Sequence, residues 1–275
     1  MYLSFIISVC IRNIQHFNQL KRCIESIKLY HCESNIFLIN DSDDSFNKCI
    51  LEYIEKFENI KIIQSKLKGS ADQQVFKIIL ENDDKSSHYI IIQDSMILNK
   101  ALEEIELIEN IKFMWHFTNH MVDWDRIIEP QTEYNMMYNI ITHSDLIKHN
   151  LKNNYFQDEK FLEFALQCLE QKESWVGCFG NCCVITRKCV KYLNDKTQFS
   201  EKFIQNYTNR ERRANESIFS LICHYYLPQD YSNSYDGLYY DGINVNNFAG
   251  KVTEFDNSLV YCCKNKYISK LSFCR

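Results

Sequence analysis

The feature that most constrains this chain is a series of strand-like apolar runs, each ending on polar residues and separated from the next by one amphipathic segment. Tyr2–Ile11 stops at Arg12-Asn13, Asn35–Asn40 runs into Asp41-Ser42-Asp43-Asp44, and Ile60–Gln64 is a short third run. The fourth, His88–Ile92, is β-branched and ends abruptly on Gln93-Asp94-Ser95. Between them Phe17, Leu20, Ile24 and Ile27 recur at helical spacing, and Ile50, Leu51, Ile54 and Phe57 do so over roughly 46–58. Ser70-Ala71-Asp72-Gln73 has the form of a capping box opening a helix with Val75, Phe76, Ile79 and Leu80 on one side. Helix formers at Ala101–Ile105 follow the fourth strand. Parallel neighbours need crossover connections, so this alternation predicts an α/β fold, a three-layer sandwich with a mainly parallel central sheet.

In such a sheet the carboxyl ends of the strands face the ligand crevice. Asn13, Asp41 and Asp94 would then line one edge, although a strand-end aspartate can equally begin a turn or cap a helix. No G-x-G-x-x-G follows the first strand and no G-x-x-x-x-G-K-[ST] occurs, which argues against a dinucleotide site and excludes a P-loop. The edge offers carboxylates instead. These bind phosphates through a divalent cation, or accept hydrogen bonds from ribose and base.

Composition narrows the classes further. A net charge of −5 leaves no basic footprint, so no nucleic-acid partner is expected. Only two prolines and six glycines argue against long linkers. Thirteen cysteines, an odd number without a C-x-x-C, point to reduced thiols in a cytosol-like, cytoplasmic compartment. Leu3–Ile11 is apolar but too short to span a bilayer, and no basic region precedes it, so no transmembrane segment or anchor is expected.

The segments SFIISVCIRN, FLINDSDD, GSADQQVFKIIL and HYIIIQDSMIL, in that order, resemble the nucleotide-binding half of a GT-A (Rossmann-like) glycosyltransferase similar to family 2. The resemblance covers residues 2–105 well and Trp175–Phe219 more loosely. It implies a GT-A-like domain over 1–225, with a nucleotide-binding half at 1–105 and an acceptor half at 106–225. A C-terminal extension, 226–275, packs on that domain. It implies transfer of a sugar from a nucleotide-sugar donor to a hydroxyl of a glycan, protein or small acceptor. Asp41 or Asp43 would hold the nucleoside, and Gln93-Asp94-Ser95 stands where the family carries a D-x-D motif. Asn13 and Arg213 would complete the donor pocket. Asp94 would be the ligand of a Mn²⁺ or Mg²⁺ ion, with His224 a candidate second ligand. The chain departs from the pattern in having one acidic residue there. A non-catalytic nucleotide-sugar or glycan-binding protein of the same fold is therefore the competing reading. A nucleotidyltransferase is disfavoured, because no glycine-rich basic phosphate loop follows the first strand.

Later segments add candidates. Phe113–Phe117 reads as a strand, and Met121–Ile128 as an edge strand and loop or an acceptor wall carrying Asp123, Trp124, Asp125 and Arg126. Short and longer helices are expected at Ser144–His149 and Asp158–Leu169. Gly177 and Gly180, flanked by aromatics, suggest a tight loop before a strand at Val184–Thr186 and a helix at Arg187–Leu193. Asn209–His224 is an amphipathic helix whose first turns crowd Arg210, Arg212 and Arg213. Cations are disfavoured at a helix start, so either Glu211 and Glu216 compensate or the arginines face a phosphate. An inverting transferase needs a base for the acceptor hydroxyl. The resemblance places it on Glu216, with Glu211 behind it.

Overall fold

The computed structural model describes residues 3–66, 68–102, 105–114, 116–118, 145–155, 157–170, 175–203, 209–228 and 268–270. Four strands, β1 (Leu3–Val9), β2 (Asn35–Asn40), β3 (Ile60–Gln64) and β4 (His88–Gln93), form the parallel part of a six-stranded sheet. β5 (Met96–Leu98), β6 (Ile111–Phe113), β7 (His116–Thr118), β8 (Val176–Cys178) and β9 (Cys183–Thr186) follow, and β10 (Ile268–Lys270) is the last described strand. The main sheet has the order β3-β2-β1-β4-β9-β6, in which β9 runs antiparallel to β4 and β6. This is the mainly parallel α/β sandwich expected from the sequence.

The helices are α1 (Ile14–Tyr30), α2 (Asp44–Ile54), α3 (Ala71–Glu81), α4 (145–154), α5 (Glu159–Leu169), α6 (Arg187–Thr197), α7 (Phe199–Lys202) and α8 (Asn209–Tyr226). Strand alternation sorts their cores. Phe5, Ile7, Leu38, Ile90 and Ile92 pack with α1 and α2 on one face. Ile6, Phe37, Ile39, Tyr89 and Ile91 pack with α3, α5, α6 and α8 on the other. The central strands are buried on both faces, which is why they read as continuous apolar runs rather than alternating ones. At about 1.5–3 kcal/mol per fully buried large apolar side chain, these two layers dominate the stability.

Connectivity locates the crevice. The chain lays down β1, β2 and β3 in one direction, then crosses to place β4 on the other side of β1. That reversal, between the carboxyl ends of β1 and β4, is the topological switch point at which open α/β sheets bind ligands. At the opposite edge Arg187, at the start of α6, donates to the Asn82 carbonyl, the Asp84 carboxylate and the Tyr89 hydroxyl. Ser4 Oγ donates to Asp84 Oδ2 at 2.8 Å, so this polar cluster ties α3, β1, β4 and α6 together far from the crevice.

Several local expectations change. Ser70 makes no capping bond; its hydroxyl is 3.0 Å from that of Ser65 and accepts from Gln74 Nε2. A nearby polar cluster therefore outcompetes the capping box. Ala101 and Leu102 are not helical, and a 3₁₀ turn at Ile105–Leu107 precedes β6. The apolar run at 113–117 is divided between β6 and β7, which belong to different sheets, β7 pairing with β8. α2 ends earlier than expected and α6 later. β10 pairs antiparallel with β5, which begins two residues after Asp94. Residues 121–128 and 229–267 lie outside the described residues.

Candidate active site

Asp94 sits at the switch point. Its N–H reaches the Ser8 carbonyl at 3.3 Å, and its Oδ2 accepts the Cys10 N–H at 2.9 Å. The carboxylate is thus carried from the end of β4 to the end of β1. Its charge is felt by the neighbouring thiols. Burial pushes Cys23 well up, and Asp94 adds to the rise. Burial likewise raises Cys10 against its contact with Arg12, with Asp94 and Asp41 contributing. Gln93, one residue earlier, is backed by Gly180.

Asp41 follows β2 and is 8% exposed. Its N–H donates to the Val9 carbonyl at 2.8 Å, and its Oδ2 accepts the Gly69 N–H at 2.6 Å. Gly69 adopts φ 82°, a left-handed conformation that glycine takes without the steric cost of a Cβ. Burial raises the Asp41 carboxyl above its ordinary value, with the Gly69 bond, Lys68 and Arg12 opposing and Asp72 adding. Asp43 sits at the N-cap position of α2 without a side-chain cap bond and pairs with Lys68 at 3.0 Å. Both partners are well exposed (41% and 70%), so this pair adds little stability. Asn13 is exposed and serves as the α1 cap, its Oδ1 accepting the His16 N–H at 2.8 Å.

The second wall comes from α3, α8 and the loop between β8 and β9. Gly180 and Asn181 both take positive φ, 56° and 54°, giving the tight loop expected from the glycines. Asn181 Nδ2 donates to the Asp72 carbonyl at 3.3 Å at the start of α3. Its Oδ1 is buried and, among the described residues, has no hydrogen-bond partner; the same holds for Gln73 Nε2, next to Asp72 in sequence. Glu216 on α8 is only 3% exposed in its side chain, and its Oε1 lies 3.5 Å from Arg212 Nε. The same Nε lies 3.8 Å from Asp72 Oδ2. Burial alone would lower the Arg212 pKa, but Glu216 and Asp72 together raise it, and Cys182 and Cys10 lie close enough to contribute. Arg212 therefore joins Glu216 on α8 to Asp72 on α3.

The Gly180-Asn181 loop, against Gln93 on one side and the Asp72 carbonyl on the other, sets the Asp72, Arg212 and Glu216 group towards the Asp94 end of β4. Glu211 lies in the first turn of α8 and is partly exposed, whereas the Arg213 side chain lies outside the described residues. The arginine crowding at this helix start is answered, for Arg212, by carboxylates. His224 is two turns beyond Glu216 and packs edge-on against Phe164, with ring centroids 4.9 Å apart. That position serves α5–α8 packing. Asp72, Asn181 and Cys10 are not singled out by the sequence, Asp72 being absorbed into the supposed capping box, whereas Arg212 is anticipated there as one of the arginines that Glu216 could compensate.

Among the described residues no group of three or more His, Cys, Asp and Glu side chains gathers as a metal cage. A Mg²⁺ or Mn²⁺ ion bound through one carboxylate and phosphate oxygens needs no such cage, and Asp94 fits that single-donor role. Among the described residues no helix is long and apolar enough to cross a membrane. The described cysteines are all free thiols. An open cleft of about 540 Å³, lined by Tyr155, Asp158, Phe161, Lys196, Lys202 and Tyr226 among others, lies between α5, α6 and α8, and none of the crevice residues lines it.

No protein-family model matches the chain, and no curated protein matches it. Solved structures with partial likeness include S. aureus TarS 1-349 in complex with UDP, at 12% identity and a TM-score of 0.33, covering 42% of this chain and 35% of that one. A second TarS structure is 16% identical with a TM-score of 0.29, covering 37% of this chain and 18% of that one. The 4-diphosphocytidyl-2C-methyl-D-erythritol synthase of Anaerococcus prevotii is 14% identical with a TM-score of 0.27, covering 34% of this chain and 43% of that one. At scores this low the functional reading rests on the chain's own residues.

Proposed function

We propose that this chain is a glycosyltransferase that moves a sugar from a nucleotide-sugar donor to a hydroxyl acceptor with inversion. The observation that carries the reading is Asp94 at the topological switch point, its carboxylate held by the Cys10 N–H at the end of β1, and the buried Glu216 paired with Arg212 on α8 supports the choice of base. Asp41 holds the nucleoside as a hydrogen-bond acceptor, with Asp43 and Lys68 at the mouth of the same pocket. Asp94 meets the diphosphate, and where a divalent cation accompanies the donor, Asp94 is the residue that would hold it. Such a cation neutralises charge on the departing diphosphate.

The transferred sugar falls between Asp94 and the Asn181 loop. A buried acceptor without a partner costs about 1–3 kcal/mol, and a sugar hydroxyl would satisfy Asn181 Oδ1. Glu216 takes the acceptor proton as the acceptor oxygen attacks the anomeric carbon and the bond to the diphosphate oxygen breaks. The nucleoside diphosphate leaves with that bonding pair. Glu211, nearer the surface, is the alternative base.

A binding-only protein of the same fold is the second reading, favoured by the burial of Glu216 and by the single acidic residue at Gln93-Asp94-Ser95. A panel of nucleotide sugars screened by thermal shift and transfer, with and without Mn²⁺, separates the two. Glu216→Gln should retain donor binding while transfer falls by roughly 10²–10⁴-fold, the usual contribution of a positioned base. Asp94→Asn should lose donor affinity and metal response together with turnover. Near-normal transfer by Glu216→Gln refutes the assignment of the base, and a wild type that binds donor without transfer or hydrolysis establishes the second reading.

A further inference from the structure

An ionised carboxylate as buried as Glu216 costs several kcal/mol unless a partner compensates it. The cation supplied is Arg212, one turn earlier on the same helix, with Nε 3.5 Å from Glu216 Oε1. This is an awkward place for an arginine, since the first turn of a helix carries the positive end of its dipole. Two carboxylates hold it there, and the second, Asp72 Oδ2, belongs to α3 and lies 3.8 Å away. Nε itself is buried and makes no well-formed hydrogen bond. The charge is therefore shared between two acids rather than committed to one.

The geometry points to Arg212 as a positioning residue that divides its charge between Asp72 and Glu216, and so sets how readily Glu216 holds a proton. The inference rests on the reading of Glu216 as the base. Arg212 is flanked by Glu216 on α8 and Asp72 on α3, with the Cys182 and Cys10 thiols near enough to influence it, and Glu211 lies in the same first turn of α8. Arg212 is the cation among the groups named. Removing it takes away the guanidinium that faces Glu216. Removing Asp72 instead gives Glu216 the undivided guanidinium. The two changes move the proton affinity of Glu216 in opposite directions, and a purely structural role for Arg212 does not produce that pair of signs.

The test is a carboxyl ¹³C NMR titration of the full chain labelled at glutamate, with Glu216→Gln identifying the resonance. Arg212→Gln should raise the Glu216 midpoint by about 1–3 pH units, the usual effect of a nearby opposite charge. Asp72→Asn should lower it, and Arg212→Lys should stay near wild type because the charge is kept. The acidic limb of kcat/KM should move with the midpoint in each variant. Midpoints unmoved in both Arg212→Gln and Asp72→Asn overturn the proposal. Should Arg212→Gln fail to fold, an Asp72→Asn midpoint that is unmoved or raised does so by itself. An inactive Glu216→Gln with unmoved midpoints refutes only the role of Arg212. An active Glu216→Gln refutes the base and, with it, this inference.

Discussion

Gly180→Ala puts the loop that backs Gln93 to a quantitative test. A Cβ built at Gly180 would lie 2.4 Å from Gln93 Nε2 and 3.1 Å from its Cδ, so the Gln93 side chain must swing away. The backbone at φ 56° adds a second cost, because a Cβ in the left-handed region is strained by about 1–2 kcal/mol. Driving Gln93 off its rotamer adds roughly 0.5–1.5 kcal/mol, kept small because the contact is with the flexible end of the side chain. The total is roughly 1.5–3.5 kcal/mol. At about 2–4 °C per kcal/mol for a chain near this size, thermal unfolding should fall by roughly 3–14 °C. A double-mutant cycle separates the two terms. In a Gln93→Ala background the clash vanishes and the φ strain remains, so the cycle should show a coupling of roughly 0.5–1.5 kcal/mol. The readouts are thermal melts of the four proteins and nucleotide binding, which should weaken because Gln93 adjoins Asp94. An unchanged melting temperature in Gly180→Ala, or additivity across the cycle, would refute this account of the loop.

Two further outcomes concern stability. The Asp41 carboxyl is raised by burial, so the folded state binds its proton more tightly than the unfolded chain does. Its contribution is then fullest below the ordinary carboxylate pKa and is lost as pH rises through the folded value. Asp41→Asn should gain on wild type in melts run from pH 3 towards neutrality, and a wild type that gains on the mutant over that range contradicts the sign. Arg187→Met strips the cation from the 8%-exposed Asp84 and should cost about 3 kcal/mol, the low end for a broken buried pair, since the Ser4 and Tyr89 hydroxyls still serve the carboxylate. Adding Asp84→Asn should restore part of that loss while donor binding stays unchanged throughout; a double variant no better than the single one would show that the pair is not coupled.

The sequence by itself determined the order of β1 to β4 and their intervening helices, and hence the parallel sheet. Those signals are local: an apolar run for a strand buried on both faces, a helical period for an amphipathic crossover. It also placed Asp41 and Asp94 at strand ends, because a polar residue that terminates a buried run must emerge at the sheet edge. The tight turn at Gly180 was legible too, since closely spaced glycines mark backbone that a Cβ would obstruct. Tertiary structure alone decided that β9 inserts antiparallel between β4 and β6, which depends on a pairing across nearly a hundred residues. It also decided that Asn13 is used as a helix cap, and that Ser70 joins Ser65 and Gln74 rather than capping α3. Above all it decided that Arg212 is shared with a second acid. Arg212 stands at helical spacing before Glu216, but Asp72 comes from another helix, and only the packing of α3 and α8 on the same face of the sheet brings the two acids to one guanidinium.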